Sequence, residues 1–240
     1  MKEQTRDPER ATNLAHVPPL DSLRRKVDPR HAALIIIDVQ NDFCAPGGLI
    51  ANEGQNVSEA VRVGGRLPVL VDAARTAGVL VIFIRTVYTT QHNFYLSDSV
   101  LEHAARRRPG RHIKTPFCVD GSWGGDFFGE VRPRPEDPVV TKHRYSGFHN
   151  TMLDTVLRVH GIRTLIITGV ATNVCVATTA HDGFMRDYYI VVVEDGTASY
   201  SQDQHEAALN DIDRYFGEVT NIAAITSMWR KKSVKPALRA

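Results

Sequence analysis

The sequence contains little cysteine and no large excess of charge of one sign. Its 3 cysteines in 240 residues form neither a CxxC pair nor a zinc-type spacing with histidine, which excludes a disulfide-stapled domain and a zinc finger. The near balance of 29 Lys and Arg against 27 Asp and Glu argues against nucleic acid or an acidic membrane as the main partner. These two absences favour a protein of a reducing cytoplasm that binds a small molecule.

Long hydrophobic runs are also missing. No stretch reaches the roughly eighteen apolar residues of a membrane span, and the first residues lack the apolar segment of a signal peptide. We therefore expect a protein that is neither exported nor bound to a membrane. A hydrophobic content of 42% is sufficient for one substantial core. The expected organisation is an extended N-terminal arm over residues 1–30, one domain over residues 31–228 and a basic tail over residues 229–240.

Short β-branched runs alternate with helical segments along the domain. Because parallel strands need crossover connections, this alternation predicts an α/β fold: a single-domain, doubly wound parallel sheet, Rossmann-like, with helices on both faces. The expected buried strands are residues 33–38, 79–85, 137–142, 164–170 and 189–195. The expected helices include residues 67–78, with a proline near the start, residues 150–161, and residues 201–217, which open with a capping box of Ser201 and Gln204.

Three chemically complementary residues follow these strands. Asp38 ends the first run, Lys142 ends the third, and Cys175 follows the fourth after one tight turn. In an open parallel sheet, ligands bind outside the carboxyl ends of the strands. The three side chains are therefore expected to converge on one edge of the sheet.

Cys175 has two interpretations on these grounds. Thr172 or Asn173 could cap a helix running to about Arg186, so that the helix start, together with Lys142, would favour the thiolate. Asp38 would then act as the acceptor of the thiol proton. The alternative is a buried cysteine that only fills space, beside charged residues that only pair with each other. The spacing alone leaves both interpretations open.

Three segments carry a resemblance to a known family. They are "LIIIDVQNDFCAPGG" at 34–48, "KHRYSGFHNTMLD" at 142–154 and "TGVATNVCVATTAHDGFMRDY" at 168–188. In this order the sequence resembles the isochorismatase-like cysteine hydrolase superfamily over roughly residues 31–225. Within it, the sequence is most similar to ureidoacrylate amidohydrolases, and more distantly to biuret hydrolases and N-carbamoylsarcosine amidases.

The resemblance implies a catalytic triad and a reaction. The catalytic Asp, Lys and Cys of the superfamily match Asp38, Lys142 and Cys175. Isochorismatases that cleave a vinyl ether lack the cysteine, so its presence implies cleavage of a C–N bond in an amide or ureide through a thioester. The backbone N–H groups of Ala171 and Cys175 would hold the oxyanion. The family also implies a non-proline cis peptide at Val170–Ala171.

The resemblance also has implications for metal ions, for the other two cysteines and for the oligomeric state. Nicotinamidase-type relatives bind a metal through an Asp/His cluster after the second strand, where this sequence has only His92, so no metal and no cofactor are expected. Cys44 and Cys118 match no catalytic position and are interpreted as structural. Related hydrolases are commonly dimers or tetramers, which together with the N-terminal arm favours a homo-oligomer.

Substrate specificity is the least determined property. Arg144, like Arg85 and Asn93, could hydrogen-bond a urea oxygen or a carboxylate, and each of them could equally be a packing or surface residue. Ureidoacrylate, biuret and triuret stay open as substrates, as do an N-carbamoylsarcosine-type or nicotinamidase-like activity, a redox-sensing thiol protein and a non-catalytic interaction subunit. The candidate substrate-binding residues are Phe43, Arg85, Asn93, Tyr95, Trp123 and Tyr145.

Overall fold

The computed structural model describes residues 18–88, 90, 92, 94–107 and 117–230. Its strands are β1 (Ala32–Ile37), β2 (Leu80–Thr86), β3 (Val139–Lys142), β4 (Thr164–Val170), β5 (Tyr189–Ala198) and β6 (Glu218–Thr220). Its helices are α1 (Leu23–Lys26), α2 (Asn41–Cys44), α3 (Leu49–Asn52), α4 (Ser58–Ala77), α5 (Asp98–Arg107), α6 (Leu153–Val159), α7 (Ala177–Phe184), α8 (Gln202–Tyr215) and α9 (Ile222–Arg230), with a π-helical turn at Thr172–Val176 before α7.

The strands form one parallel sheet in the order β3-β2-β1-β4-β5-β6. The chain moves outward from β1 to β3, returns to the centre and then moves outward through β4 to β6, which is a doubly wound topology. The predicted α/β fold is thus confirmed. The place where the direction reverses is the boundary between β1 and β4, and a crevice opens at the carboxyl ends of strands at such a point.

The core lies on both faces of the sheet. All six residues of β1 are buried, and because successive side chains of a strand point to opposite faces, they divide between two apolar layers. Leu34 and Ile36 pack with residues of α4 and α9, whereas Ile35 and Ile37 pack with residues of α6, α7 and α8. The result is a sheet between two layers of helices.

The five predicted strands are confirmed to within about three residues at each end. The sequence interpretation missed β6, because its three residues are only partly buried and follow directly after a helix. Half of the predicted capping box is present: Ser201 precedes α8, and its hydroxyl accepts a hydrogen bond from the Gln204 backbone N–H at 3.5 Å, whereas the Gln204 side chain accepts from Asn173.

Helix α4 is longer than the sequence predicted. The helix was expected to begin near Pro68, but it begins at Ser58 and continues through that proline. Proline in a helix interior removes one backbone hydrogen bond. The apolar face of α4 offsets this loss, since Val63, Leu67 and Leu70 are all buried against the sheet.

Both ends of the described chain contact the domain. Residues 18–30, expected to belong to the N-terminal arm, include α1, and Val27 is 1% exposed. The indole N–H of Trp229, in α9, donates to the carbonyl of Val27 at 2.8 Å. No helix in the described part of the chain combines the length and apolarity needed to cross a bilayer.

Candidate active site

The three predicted catalytic residues lie together at the carboxyl edge of the sheet. Asp38 directly follows β1, Lys142 ends β3, and Cys175 lies in the π-helical turn after β4. Asp38 has a φ of 54°, in the left-handed region, and its N–H donates to the carbonyl of Ile84 in β2. The site is thus at the point where the strand order reverses.

Lys142 connects the other two groups. Its Nζ lies 2.7 Å from Asp38 Oδ2 and donates to Cys175 Sγ at 3.4 Å. Asp38 and Lys142 are fully buried, and Cys175 is 4% exposed. A buried ammonium is tolerated only where acceptors surround it. Lys142 meets this condition, since its Nζ also donates to Thr86 Oγ1 at 2.7 Å and to the carbonyl of Arg144 at 3.0 Å.

Sequence reasoning missed Thr86, the last residue of β2. Its hydroxyl donates to Asp38 Oδ1 at 3.0 Å, so it links the carboxylate to the lysine. The signal was available, because Thr86 ends a strand at the same edge as the other three residues. A threonine at a strand end is a common residue of parallel sheets, so its position alone does not distinguish it.

Cys175 is held by a turn that begins at a cis peptide bond. The predicted non-proline cis bond at Val170–Ala171 is confirmed. The N–H of Val176 reaches back to the carbonyl of Ala171 at 3.2 Å, which makes one wide turn of π type. Ala171 and Cys175, the predicted oxyanion residues, both line the cavity described below.

The predicted caps of this turn were wrong. No side chain caps its N-terminus. The hydroxyl of Thr172 pairs instead with His205 Nδ1 at 2.8 Å. The Asn173 amide donates to Gln204 Oε1 at 3.1 Å and accepts from Ser199 Oγ at 2.7 Å. Both side chains thus tie the turn to α8 and to the end of β5, which the linear sequence could not indicate.

Burial dominates the electrostatics of the thiol. Burial raises the pKa of Cys175 to about 12, although the ammonium of Lys142 lowers it, and the charge of Asp38 raises it further. Burial lowers the pKa of Lys142, but the charges of Asp38 and Cys175 outweigh this, so its pKa is raised. Burial therefore outweighs the influence of Lys142 and favours the neutral thiol. A Cys175 that acts as a nucleophile would need a base to take its proton, beside a lysine that stays charged.

A cavity of about 920 Å³ opens on Cys175. Of the predicted substrate-binding residues, Phe43 and Tyr145 line it, as does Arg144. Aromatic rings form part of its wall, with Phe117 packed edge-on against Phe43 and stacked on Tyr88. Polar lining groups include Ser146, His149, Asn173, Asp182, Ser199 and Gln204.

Other candidates for substrate binding lie outside this lining. Arg85 forms an ion pair with Asp120 at 3.0 Å, because it alternates with Thr86 along β2 and points to the opposite face. Trp123 is 59% exposed and approaches Gly47, and Tyr95 stacks on His143 with ring centroids 3.5 Å apart. Asn93 lies outside the described residues.

Tyr88 and Tyr200 were missed as cavity residues. Each follows a strand of the sheet, β2 and β5 respectively, and lines the cavity. The rule that ligands bind beyond the carboxyl ends of parallel strands therefore applies to Tyr88 and Tyr200 as well as to Asp38 and Lys142. Aromatic residues after a strand are commonly packing residues, so this rule alone does not select them.

Within the described residues, no group of three or more His, Cys, Asp or Glu side chains is placed to hold a metal ion. The ring of His92 lies 5.3 Å from that of Phe94. All three cysteines are free and buried. This arrangement offers a buried thiol, a carboxylate and an ammonium as its reactive groups.

One family model and several solved structures of hydrolases are similar to this chain. Residues 32–224 match the model of the isochorismatase domain. A cysteine hydrolase from Pseudomonas syringae pv. phaseolicola has a similar structure, with a TM-score of 0.73 and 29% identity over 89% of this chain and 98% of that one. An N-carbamoylsarcosine amidase from Thermoplasma acidophilum has a TM-score of 0.62 and 26% identity, over 80% of this chain and 96% of that one. A nicotinamidase from Bacillus subtilis has a TM-score of 0.65 and 25% identity, over 80% and 99% respectively.

Proposed function

The chain belongs to the isochorismatase family, and from this premise we propose that it is a cysteine-dependent amidohydrolase that cleaves a C–N bond of a small ureide or carbamoyl amide. The observation that carries the proposal is the position of Lys142 Nζ, 2.7 Å from Asp38 Oδ2 and 3.4 Å from Cys175 Sγ. A carboxylate and a thiol that both contact one ammonium provide a base and a nucleophile within the same buried cluster.

The first step is attack on the substrate. Asp38 takes the proton of the Cys175 thiol, and the sulfur attacks the carbonyl carbon to form a C–S bond. The carbonyl electrons move to oxygen, where the backbone N–H groups of Ala171 and Cys175 stabilise the oxyanion. Each such donor commonly contributes about 100- to 1000-fold to the rate. Lys142 keeps its positive charge, which offsets the negative charge that sulfur carries between loss of its proton and formation of the C–S bond.

The second step releases nitrogen. The C–N bond breaks as the protonated Asp38 gives its proton to the leaving nitrogen, which departs as ammonia or an amine. The product is an acyl or carbamoyl thioester on Cys175. Asp38, again ionised, takes a proton from water, the resulting hydroxide attacks the thioester carbon, and the thiolate leaves and is reprotonated by Asp38. The thiol and the carboxylate are restored for the next cycle.

The residues that line the cavity favour a small polar substrate with a carbonyl group. Arg144, Asn173 and Gln204 offer N–H donors to the cavity, and the Tyr88 and Phe117 rings could pack against a flat ureide. The likeness to an N-carbamoylsarcosine amidase supports a carbamoyl substrate. Ureidoacrylate, biuret and triuret are the first candidates, and the likeness to a nicotinamidase makes nicotinamide the competing amide.

The remaining features are proposed on the same basis. The protein acts without a metal, since a cysteine nucleophile needs no Lewis acid to generate it. It is a homo-oligomer of the cytoplasm, where its three free thiols would stay reduced.

An ammonia-release screen tests the proposal. Ureidoacrylate, biuret, triuret, N-carbamoyl amino acids and nicotinamide are each incubated with the wild-type protein after dialysis against EDTA, with its molar mass measured by light scattering. We expect turnover of at least one ureide or carbamoyl amide by a species heavier than 26.7 kDa. Cys175→Ala and Cys175→Ser should release no ammonia, because neither can form the thioester, whereas Cys44→Ala should retain turnover.

Three results would contradict parts of this proposal. Activity lost in EDTA and restored by zinc or manganese would show a metal enzyme, and an active monomer would overturn the oligomer. Stoichiometric oxidation of Cys175 with no ammonia from any amide would instead favour a redox-sensing thiol protein.

A further inference from the structure

Thr86 occupies the centre of the buried polar cluster without lining the cavity. It is the Cα partner of Lys142 in the parallel pairing of β2 with β3, so its side chain lies directly beside the lysine. Thr86 is fully buried. A buried hydroxyl must find partners for its one proton and its lone pairs, and here both partners are charged.

Lys142 determines the direction of the two hydrogen bonds that the Thr86 hydroxyl makes. An ammonium has three N–H groups and accepts nothing. The three hydrogen bonds of Nζ go to Thr86 Oγ1, to the carbonyl of Arg144 and to Cys175 Sγ. The Thr86 oxygen is therefore an acceptor from the lysine, and its single proton is free to go to Asp38 Oδ1.

The two oxygens of Asp38 have different partners. Oδ1 accepts the hydroxyl proton of Thr86 at 3.0 Å, whereas Oδ2 lies 2.7 Å from the ammonium Nζ of Lys142. A donated hydrogen bond and a nearby positive charge both favour the ionised form of a carboxylate. Thr86 therefore holds the carboxylate by one oxygen while the other oxygen faces the lysine.

We propose that Thr86 is a positioning residue that fixes the orientation of the Asp38 carboxylate beside Lys142 and stabilises the negative charge of that carboxylate before reaction. The inference rests on the amidohydrolase function proposed above. Thr86 acts through Asp38 and Lys142, does not touch the substrate, and should therefore affect kcat more than KM.

The backbone of Thr86 is held independently of its side chain. Its N–H donates to Gln40 Oε1 at 2.7 Å, and the Gln40 amide donates back to its carbonyl at 2.9 Å and to the carbonyl of Gly125 at 2.8 Å. A change of the Thr86 side chain thus removes the hydroxyl while this buried two-point pairing keeps the strand end in place.

The ionisable groups around Asp38 allow a pH profile to report this effect. Besides Lys142 and Cys175, they are Cys44 from α2, Cys118 from the loop before β3, Tyr88 after β2 and Tyr200 after β5. Burial raises the pKa of all four of these thiols and phenols, so they stay neutral below their ordinary values. A decrease in rate on the acidic side of a pH profile, the acidic limb, therefore reports the protonation of the cluster of Asp38, Lys142 and Cys175.

The test compares Thr86→Val, Thr86→Ser and the control Thr141→Val, whose hydroxyl accepts from Arg85 Nε on the neighbouring strand position. Two pH profiles are measured: kcat/KM on an active amide, and the rate at which iodoacetamide labels Cys175, followed by peptide mapping. Loss of a donor disfavours the ionised carboxylate, so the acidic limb of Thr86→Val should move to higher pH by about one unit. Thr86→Ser and Thr141→Val should keep the wild-type limb.

Either of two results would overturn the inference. One is an unchanged limb in a folded Thr86→Val variant, and the other is a Thr86→Ser variant that shifts as far as Thr86→Val. If the valine variant does not fold, Thr86→Ser and Thr86→Ala are compared, since they differ only in the hydroxyl. The labelling profile needs no substrate, so it decides the role of Thr86 even if no amide is hydrolysed and the proposed function fails.

Discussion

Lys142 shows how much a single buried charge demands of its neighbours. Its side chain is fully enclosed, and each N–H has an acceptor from a different part of the chain: Thr86, Arg144 and Cys175. Removing one partner of a buried pair leaves an uncompensated charge, which commonly costs about 3–5 kcal/mol. The residues of this cluster thus contribute to stability as well as to the proposed chemistry, and the activities of variants must be compared per folded molecule.

At this scale, Asp38→Asn separates proton transfer from packing. The amide has the shape of the carboxylate but cannot take the thiol proton or return it to the leaving nitrogen. We expect kcat to fall at least about 100-fold, the usual contribution of general acid–base catalysis. Steady-state kinetics on the substrate found by the ammonia screen, with the folded fraction measured by circular dichroism, checks this.

The matched control is Asp42→Asn, four residues further along. Asp42 accepts from the N–H of Cys118 at 2.8 Å and of Leu49 at 3.2 Å, so it stabilises the loop without contacting the cluster. Its variant should lose stability and keep most of its turnover. An Asp38→Asn enzyme that retained more than a tenth of wild-type kcat would require a different base.

Among the elements, the end of β4 and the turn after it place Cys175, the proposed nucleophile. Gly169 pairs with Ile37 of β1 and has a φ of 110°. A Cβ at this position would lie 2.0 Å from the carbonyl oxygen of Ile37. The pairing of β4 with β5 also shifts register between Ile167 and Gly169. A side chain of any size is therefore incompatible with the path that leads from β4 to Cys175.

Gly169→Ala tests this element. The φ value and the backbone contact both oppose a side chain, so we expect the free energy of unfolding to fall by about 1–3 kcal/mol or more. Gly65→Ala is the control, since Gly65 lies within α4 with open space around it, and alanine there should raise stability by about 0.5–1 kcal/mol. Urea denaturation measures both, and equal effects of the two variants would contradict the strain at Gly169.

For the whole molecule, burial of thiols and phenols sets the response to alkaline pH. Burial raises the pKa of Cys44, Cys118, Tyr88 and Tyr200 above the ordinary 9.0 for the thiols and 10.0 for the phenols. It raises that of Cys175 to about 12. Above pH 9 the unfolded chain thus binds fewer protons than the folded protein, so stability must decrease as the pH rises.

This predicts unfolding in mild alkali. Between about pH 7.5 and 8.5 the urea midpoint should be nearly constant, and above that range it should fall, with each such group contributing at most about 1.4 kcal/mol per pH unit. Tyr200→Phe should make the decline shallower, because it removes one buried phenol. Tyr215→Phe, at a position 59% exposed, should leave the decline unchanged. A midpoint that stayed constant to pH 11 would show that these groups are not protected from solvent.

The sequence by itself determined the alternation of strands and helices, the edge of the sheet where the candidate site lies, and three residues that meet there. It could do so because burial on both faces of a strand produces an apolar run, and because the carboxyl ends of parallel strands always share one edge. The resemblance added the cis bond at Val170–Ala171 and the family. Each of these properties is encoded by residues adjacent in sequence or by a pattern that repeats along it.

Only the tertiary structure decided the rest. Thr86 meets Lys142 because β2 lies beside β3 in one particular register, and Arg85, its neighbour in sequence, points to the other face. The pKa of Cys175 is raised because the surrounding elements exclude water, an effect that no local motif reports. Helix α4 continues through Pro68 because its buried face outweighs one missing hydrogen bond. These outcomes depend on contacts between distant parts of the chain, whose free energies exceed the local preferences that a sequence displays.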